Sequence, residues 1–161
     1  VGVLLRTFTL LKGQPVFDVT TGKTIGNIAD FKLSDNGRIE AIVTDVKGLF
    51  GRDQHISFKD IRSFGNDGVM VQLQNENHSG YEKSGHYLYH HHGLMGQLLY
   101  TTEGEKLGMV EDVYFDEKLG TILGYEVSEG FFADLTEGKK VINTSAPLQF
   151  GEDIILIEID T

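Results

Sequence analysis

Short apolar runs rich in branched side chains recur along the chain at about ten-residue spacing, and polar turn clusters separate them. Val69-Met70-Val71-Gln72-Leu73 and Ile154-Ile155-Leu156-Ile157-Glu158-Ile159 are the clearest strands. Residues 18–22, 35–37, 66–68 and 117–120 carry the Asp, Asn and Gly that close turns. Asp35-Asn36-Gly37 is the best hairpin signal, because Asn and Gly tolerate the positive φ of tight hairpin turns. Helix is expected to be scarce, confined to a turn within 6–11 entered through Thr7 and another within 58–62. Many short strands with turns between them predict an all-β barrel or sandwich.

The pattern occurs twice. Gly13-Gln14-Pro15-Val16-Phe17 returns as Gly96-Gln97-Leu98-Leu99-Tyr100, and Lys23-Thr24-Ile25-Gly26-Asn27-Ile28-Ala29-Asp30 returns as Glu105-Lys106-Leu107-Gly108-Met109-Val110-Glu111-Asp112. Further on, Gly37-Arg38-Ile39 answers to Gly120-Thr121-Ile122, and Phe64-Gly65-Asn66-Asp67 to Phe150-Gly151-Glu152-Asp153. The chain of 161 residues therefore divides into repeats at 1–76 and 94–161, joined by residues 77–93. Units of about 70 residues are marginal when alone, so the repeats are expected to lean on each other. Gly26 and Gly108 interrupt strand-like runs at matching positions, which predicts matching backbone bends. The connecting stretch lacks apolar periodicity and reads as a linker, partly ordered at most.

Those segments, with Gly48-Leu49-Phe50-Gly51 and His55-Ile56-Ser57-Phe58-Lys59-Asp60-Ile61-Arg62-Ser63-Phe64-Gly65, resemble the PRC-barrel family. The family takes its name from the cytoplasmic part of the photosynthetic reaction-centre H subunit, and it includes the C-terminal domain of the ribosome-maturation factor RimM. The resemblance implies a six-stranded barrel, so that the fold class expected here is all-β with two tandem PRC-like barrels. Repeat two is the weaker match, since Thr144-Ser145-Ala146-Pro147 replaces Phe58-Lys59-Asp60-Ile61 and Pro147 has no amide to donate. The family shares no catalytic apparatus, and its common theme is docking onto macromolecules. The resemblance thus implies a non-enzymatic adaptor without a cofactor, partnered by another protein.

Charge changes this picture in one respect. Residues 1–95 carry ten acidic and ten basic side chains, whereas 96–161 carry fourteen acidic and four basic ones, which accounts for the net charge of −10. Nucleic acid is bound largely by neutralising phosphates, so an acidic second repeat speaks against it. An RNA-linked role in ribosome maturation stays an alternative by family analogy alone. Cysteine is absent, no run approaches the roughly 18 apolar residues of a membrane span, and the first thirteen residues do not read as a signal peptide. A cytoplasmic protein is the expectation.

Three constellations could carry chemistry. Asp53, His55 and Ser57 alternate along one strand, but side chains two apart on a strand start about 6.6 Å from each other, too far for a relay with hydrogen-bond reach. The answering positions in repeat two are Lys139, Val141 and Asn143, so polar alternation accounts for the trio. His86, His90 and His92 in the connecting stretch are candidate ligands for zinc or nickel, which makes a small metal-binding protein the second alternative. Leu49 and Phe50, and Phe131 and Phe132, stand in equivalent places after the third strand of each copy. Apolar side chains on loop tips either fold back over the barrel end or meet a partner, and these four are the candidate partner-binding residues.

Overall fold

The computed structural model describes residues 5–45, 53–74, 78–144 and 146–159. It opens with β1 (Leu5–Thr7) and the single helical turn α1 (Phe8–Leu11), whose N-cap is Thr7. The first repeat follows as β2 (Pro15–Asp18), β3 (Thr24–Leu33), β4 (Ile39–Asp45), β5 (Gln54–Ser57), a 3-10 turn at Phe58–Asp60, β6 (Ile61–Phe64) and β7 (Val69–Val71). Two short strands, β8 (His78–Ser79) and β9 (His86–Tyr87), lie in the connection. The second repeat comprises β10 (Leu98–Thr101), β11 (Lys106–Asp116), β12 (Ile122–Ser128), α2 (Phe131–Glu137), β13 (Lys140–Asn143), β14 (Leu148–Phe150) and β15 (Ile155–Ile157).

Each repeat contributes six strands in one order. In the first it runs β6-β7-β2-β3-β4-β5, and in the second β14-β15-β10-β11-β12-β13. The first and last strands of each repeat pair in parallel, Val16 opposite Val69 and Leu99 opposite Ile155, while the other neighbours are antiparallel. Both helical turns expected in repeat one are present. In repeat two, Thr144 and Ala146, the described residues immediately before Pro147, are not helical, as its missing amide implies.

The matched glycines act by close approach. A Cβ on Gly26 would stand 2.3 Å from the Asp45 carbonyl oxygen, and one on Gly108 would stand 2.7 Å from that of Ser128. A register shift sits beside each glycine, between Val16 and Phe17 and between Leu99 and Tyr100, so the long strand coils sharply there. Gly26→Ala is expected to force β3 from β4 and to cost about 1–3 kcal/mol, the usual range for overpacking. A urea midpoint unchanged from wild type would show that the strands yield freely.

A second pair of shifts, between Ile28 and Asp30 and between Val110 and Asp112, changes the phase of the inward-facing side chains. Consecutive Asp30 and Phe31, and likewise Asp112 and Val113, are consequently all buried.

The repeats are not beads on a string, because the segment preceding each one pairs with the long strand of the other. β1 runs antiparallel to β11, placing Arg6 opposite Phe115, and β9 runs antiparallel to β3, placing His86 opposite Leu33. One continuous apolar core spans both copies. At its centre the Phe115 ring meets Phe31 edge-on at 5.1 Å and Phe64 at 5.6 Å. The hairpin tips also cross over: Ile39 donates to the Gly120 carbonyl at 2.9 Å, and Leu148 donates to that of Asn36 at 3.1 Å. The connecting stretch is built into this arrangement, with β8 paired to β5 and with Tyr87 and Leu88 buried.

Candidate functional site

The chemistry-bearing side chains gather where the exchanged segments meet the barrels. Asp30 is buried beneath the start of the loop at 88–90, and its carboxylate accepts the amides of Leu88 (3.0 Å), Tyr89 (3.1 Å) and His90 (3.1 Å) besides that of Phe31 (2.8 Å). Burial raises its pKa, and the four amide bonds oppose the rise. Asp112 holds the other exchanged segment in the same manner, accepting the amides of Thr9 (3.1 Å) in α1 and of Val113 (2.9 Å). The repeat-matched carboxylates are therefore reciprocal tethers, each gripping the lead-in to the opposite copy.

His55 lies buried in β5, where its Nε2 is 2.8 Å from the Tyr87 hydroxyl, and that hydroxyl also accepts the Glu82 amide at 2.9 Å. Tyr81 lies edge-on to Tyr87 at 4.7 Å and stacks on His90 at 3.6 Å. Burial pushes both tyrosine hydroxyls up from their ordinary values, and burial together with the adjacent His91 holds His90 below the ordinary histidine range. The tyrosines carry no periodic signal in the sequence, and their pairing with His55 depends on strands contributed by the connection. Ser57 follows His55 in β5, and Asp53 stands one residue before that strand.

The candidate metal ligands are dispersed over different tasks. His86 lies flat against Phe150 of repeat two, with centroids 4.0 Å apart and planes within 5°, and its Nε2 is 3.4 Å from an Asp35 carboxylate oxygen. Its counterpart across the internal symmetry is Arg6, which pairs with Glu117 and donates to the carbonyls of Phe64 and Gly65. Asp35 and Glu117 occupy matching hairpin tips, and Phe64 and Phe150 occupy matching strands, so Arg6 and His86 are two versions of one clamp. His90 is stacked on Tyr81, while His91 and His92 carry the only positive-φ backbones among the described non-glycine residues, at 50° and 51°. Among the described residues no three His, Cys, Asp or Glu side chains converge as a metal site.

Of the candidate partner-binding residues, Leu49 and Phe50 lie outside the described residues. Phe131 and Phe132 are not on a loop tip: they form the first turn of α2, which Ser128 helps start by accepting the Gly130 amide and donating to Asp134. Gly130 and Gly138, which bracket the seven helical residues, were the available signal.

Duplicated six-stranded units with parallel first and last strands define a tandem barrel protein. The PRC-barrel domain matches residues 6–77 and again 89–161, and the chain belongs to that family. It is also 32% identical over 146 residues to the uncharacterized protein YrrD of Bacillus subtilis (strain 168), an alignment covering 89% of this chain and 82% of that protein. Among the described residues no helix is long and apolar enough to cross a membrane.

Proposed function

We propose that the chain is a non-enzymatic interaction module that holds another protein on the surface of its fused barrels. The observation that carries this reading is where the polar and apolar side chains are spent. Asp30, Asp112 and His86, three of the side chains that could do chemistry, are engaged in joining the repeats, and His55 anchors the connecting segment to repeat one. Large apolar side chains meanwhile stand in solvent on both copies, with Leu10 at 79%, Leu119 at 64% and Leu135 at 68% exposure. Leaving such groups in water forgoes burial worth about 1.5–3 kcal/mol each, which a partner can recover.

Affinity capture with the full chain as bait, followed by competition with untagged protein, tests the reading. A stoichiometric partner that the competitor displaces is the expected result. Failure to capture any displaceable partner would overturn the proposal.

A further inference from the structure

A groove of about 840 Å3 runs along the seam between the repeats. Its floor is Phe58, Ile61 and Phe64 of repeat one, and one wall is the β11–β12 turn of repeat two, which brings in Lys118 and the exposed Leu119. Neither repeat could form it alone. Arg38 fixes the wall by donating to the Leu119 carbonyl at 3.0 Å across the seam.

The charge in this groove runs against that of the whole molecule. Arg38, Lys59, Arg62 and Lys118 line it, and none of them is ion-paired to a carboxylate among the described residues. Two carboxylates also line it: Glu117 is engaged with Arg6, and Glu40 shares Lys32 with Glu82. On a chain of net charge −10, four cations against two carboxylates around an apolar floor form a local positive basin.

The geometry points to this groove as the docking site for a short acidic segment of a partner protein, carboxylates on the rim and an apolar side chain against Phe58 and Leu119. This rests on the interaction-module reading above. A peptide is favoured over nucleic acid for two reasons. The floor is apolar, with its aromatic rings packed into the fold rather than standing free for bases to stack on. A polynucleotide would also have to continue over the acidic surface of repeat two, where its phosphates are repelled. A short peptide confines its charge to the basin.

The test is a fluorescence-anisotropy titration of the full chain with a short fluorescein-labelled peptide of Glu and Leu. A Lys-for-Glu version of the peptide, an oligouridylate and phosphatidylglycerol vesicles serve as comparators. The acidic peptide is expected to bind, to weaken with added salt, and to lose about tenfold in affinity with the Lys59→Glu/Arg62→Glu variant, as reversal of two rim charges predicts. Both side chains are exposed, so circular dichroism should match wild type. The assignment is overturned if the acidic peptide binds neither better than the basic one nor more weakly to the variant, or if the oligouridylate or the vesicles bind with the same loss. A concentration-dependent dimer abolished by the same variant would assign the groove to a second copy and overturn it as well. Capturing the native partner with this variant separates the two readings. A partner retained in full by the variant would remove the groove and leave the module standing, whereas a wild-type chain that captures nothing would remove the module.

Discussion

Phe115→Ala is expected to lower stability by about 3–5 kcal/mol, the range for truncating a buried Phe, and to destabilise both repeats in one transition. Phe115 belongs to repeat two by sequence, yet its fully buried ring packs on Phe31 and Phe64 of repeat one. Removing it opens a cavity in the core the copies share. Two spectroscopic probes followed through urea unfolding should report a single coincident midpoint in wild type and variant alike. A double-mutant cycle with Phe31→Ala should give a coupling of about 0.5–1.5 kcal/mol, as edge-to-face aromatic pairs do. Separate transitions, with only the second displaced, would mean that the repeats fold independently and that the ring serves its own barrel alone.

What sequence patterning revealed, and what it hid, divides along the range of the interactions. The turn at Gly37, the one-turn helix after Thr7 and the 3-10 turn after Ser57 are local matters of backbone preference, and all three stand where the residues place them. The duplication was legible because the same local choices occur twice. The exchange of lead-in strands was not, since β1 and β9 have three and two residues, too few to show a period, and their partners lie in the opposite copy. Nor could Arg6 and His86 be matched by similarity. Their equivalence is one of position against a hairpin-tip carboxylate and a phenylalanine strand, visible only once both clamps are seen. Helix α2 was hidden by reading Phe131 and Phe132 as isolated apolar residues, when the flanking glycines mark a complete short element. The seam groove could not be read from either copy, because its lining comes from both.

Asp30→Ala is expected to cost about 1–3 kcal/mol at neutral pH, because the Phe31, Tyr89 and His90 amides lose their carboxylate acceptor while the Leu88 amide keeps the Phe31 carbonyl at 3.2 Å. Faster hydrogen exchange at Tyr89 and His90 should accompany the loss, since this carboxylate pins the lead-in to repeat two. Asp30→Asn should cost less, because an amide oxygen at Oδ1 still accepts from Phe31, Leu88 and Tyr89, and only the bond from His90 is replaced by a donor facing a donor. The comparison with Asn also carries a pH signature. Burial holds the folded pKa of Asp30 above its ordinary 3.8, so the native state binds the proton more tightly than the unfolded chain does. The stability linked to that proton is complete below pH 3.8 and is lost as pH rises through the folded pKa. Wild type should therefore gain on Asp30→Asn as pH is lowered from neutral toward that value, with the gain confined to the window between the two pKa values. If wild type instead gained on the variant as pH rose, the four amide bonds would outweigh burial, the folded pKa would lie below 3.8, and Asp30 would be a tether strongest in its ionised form.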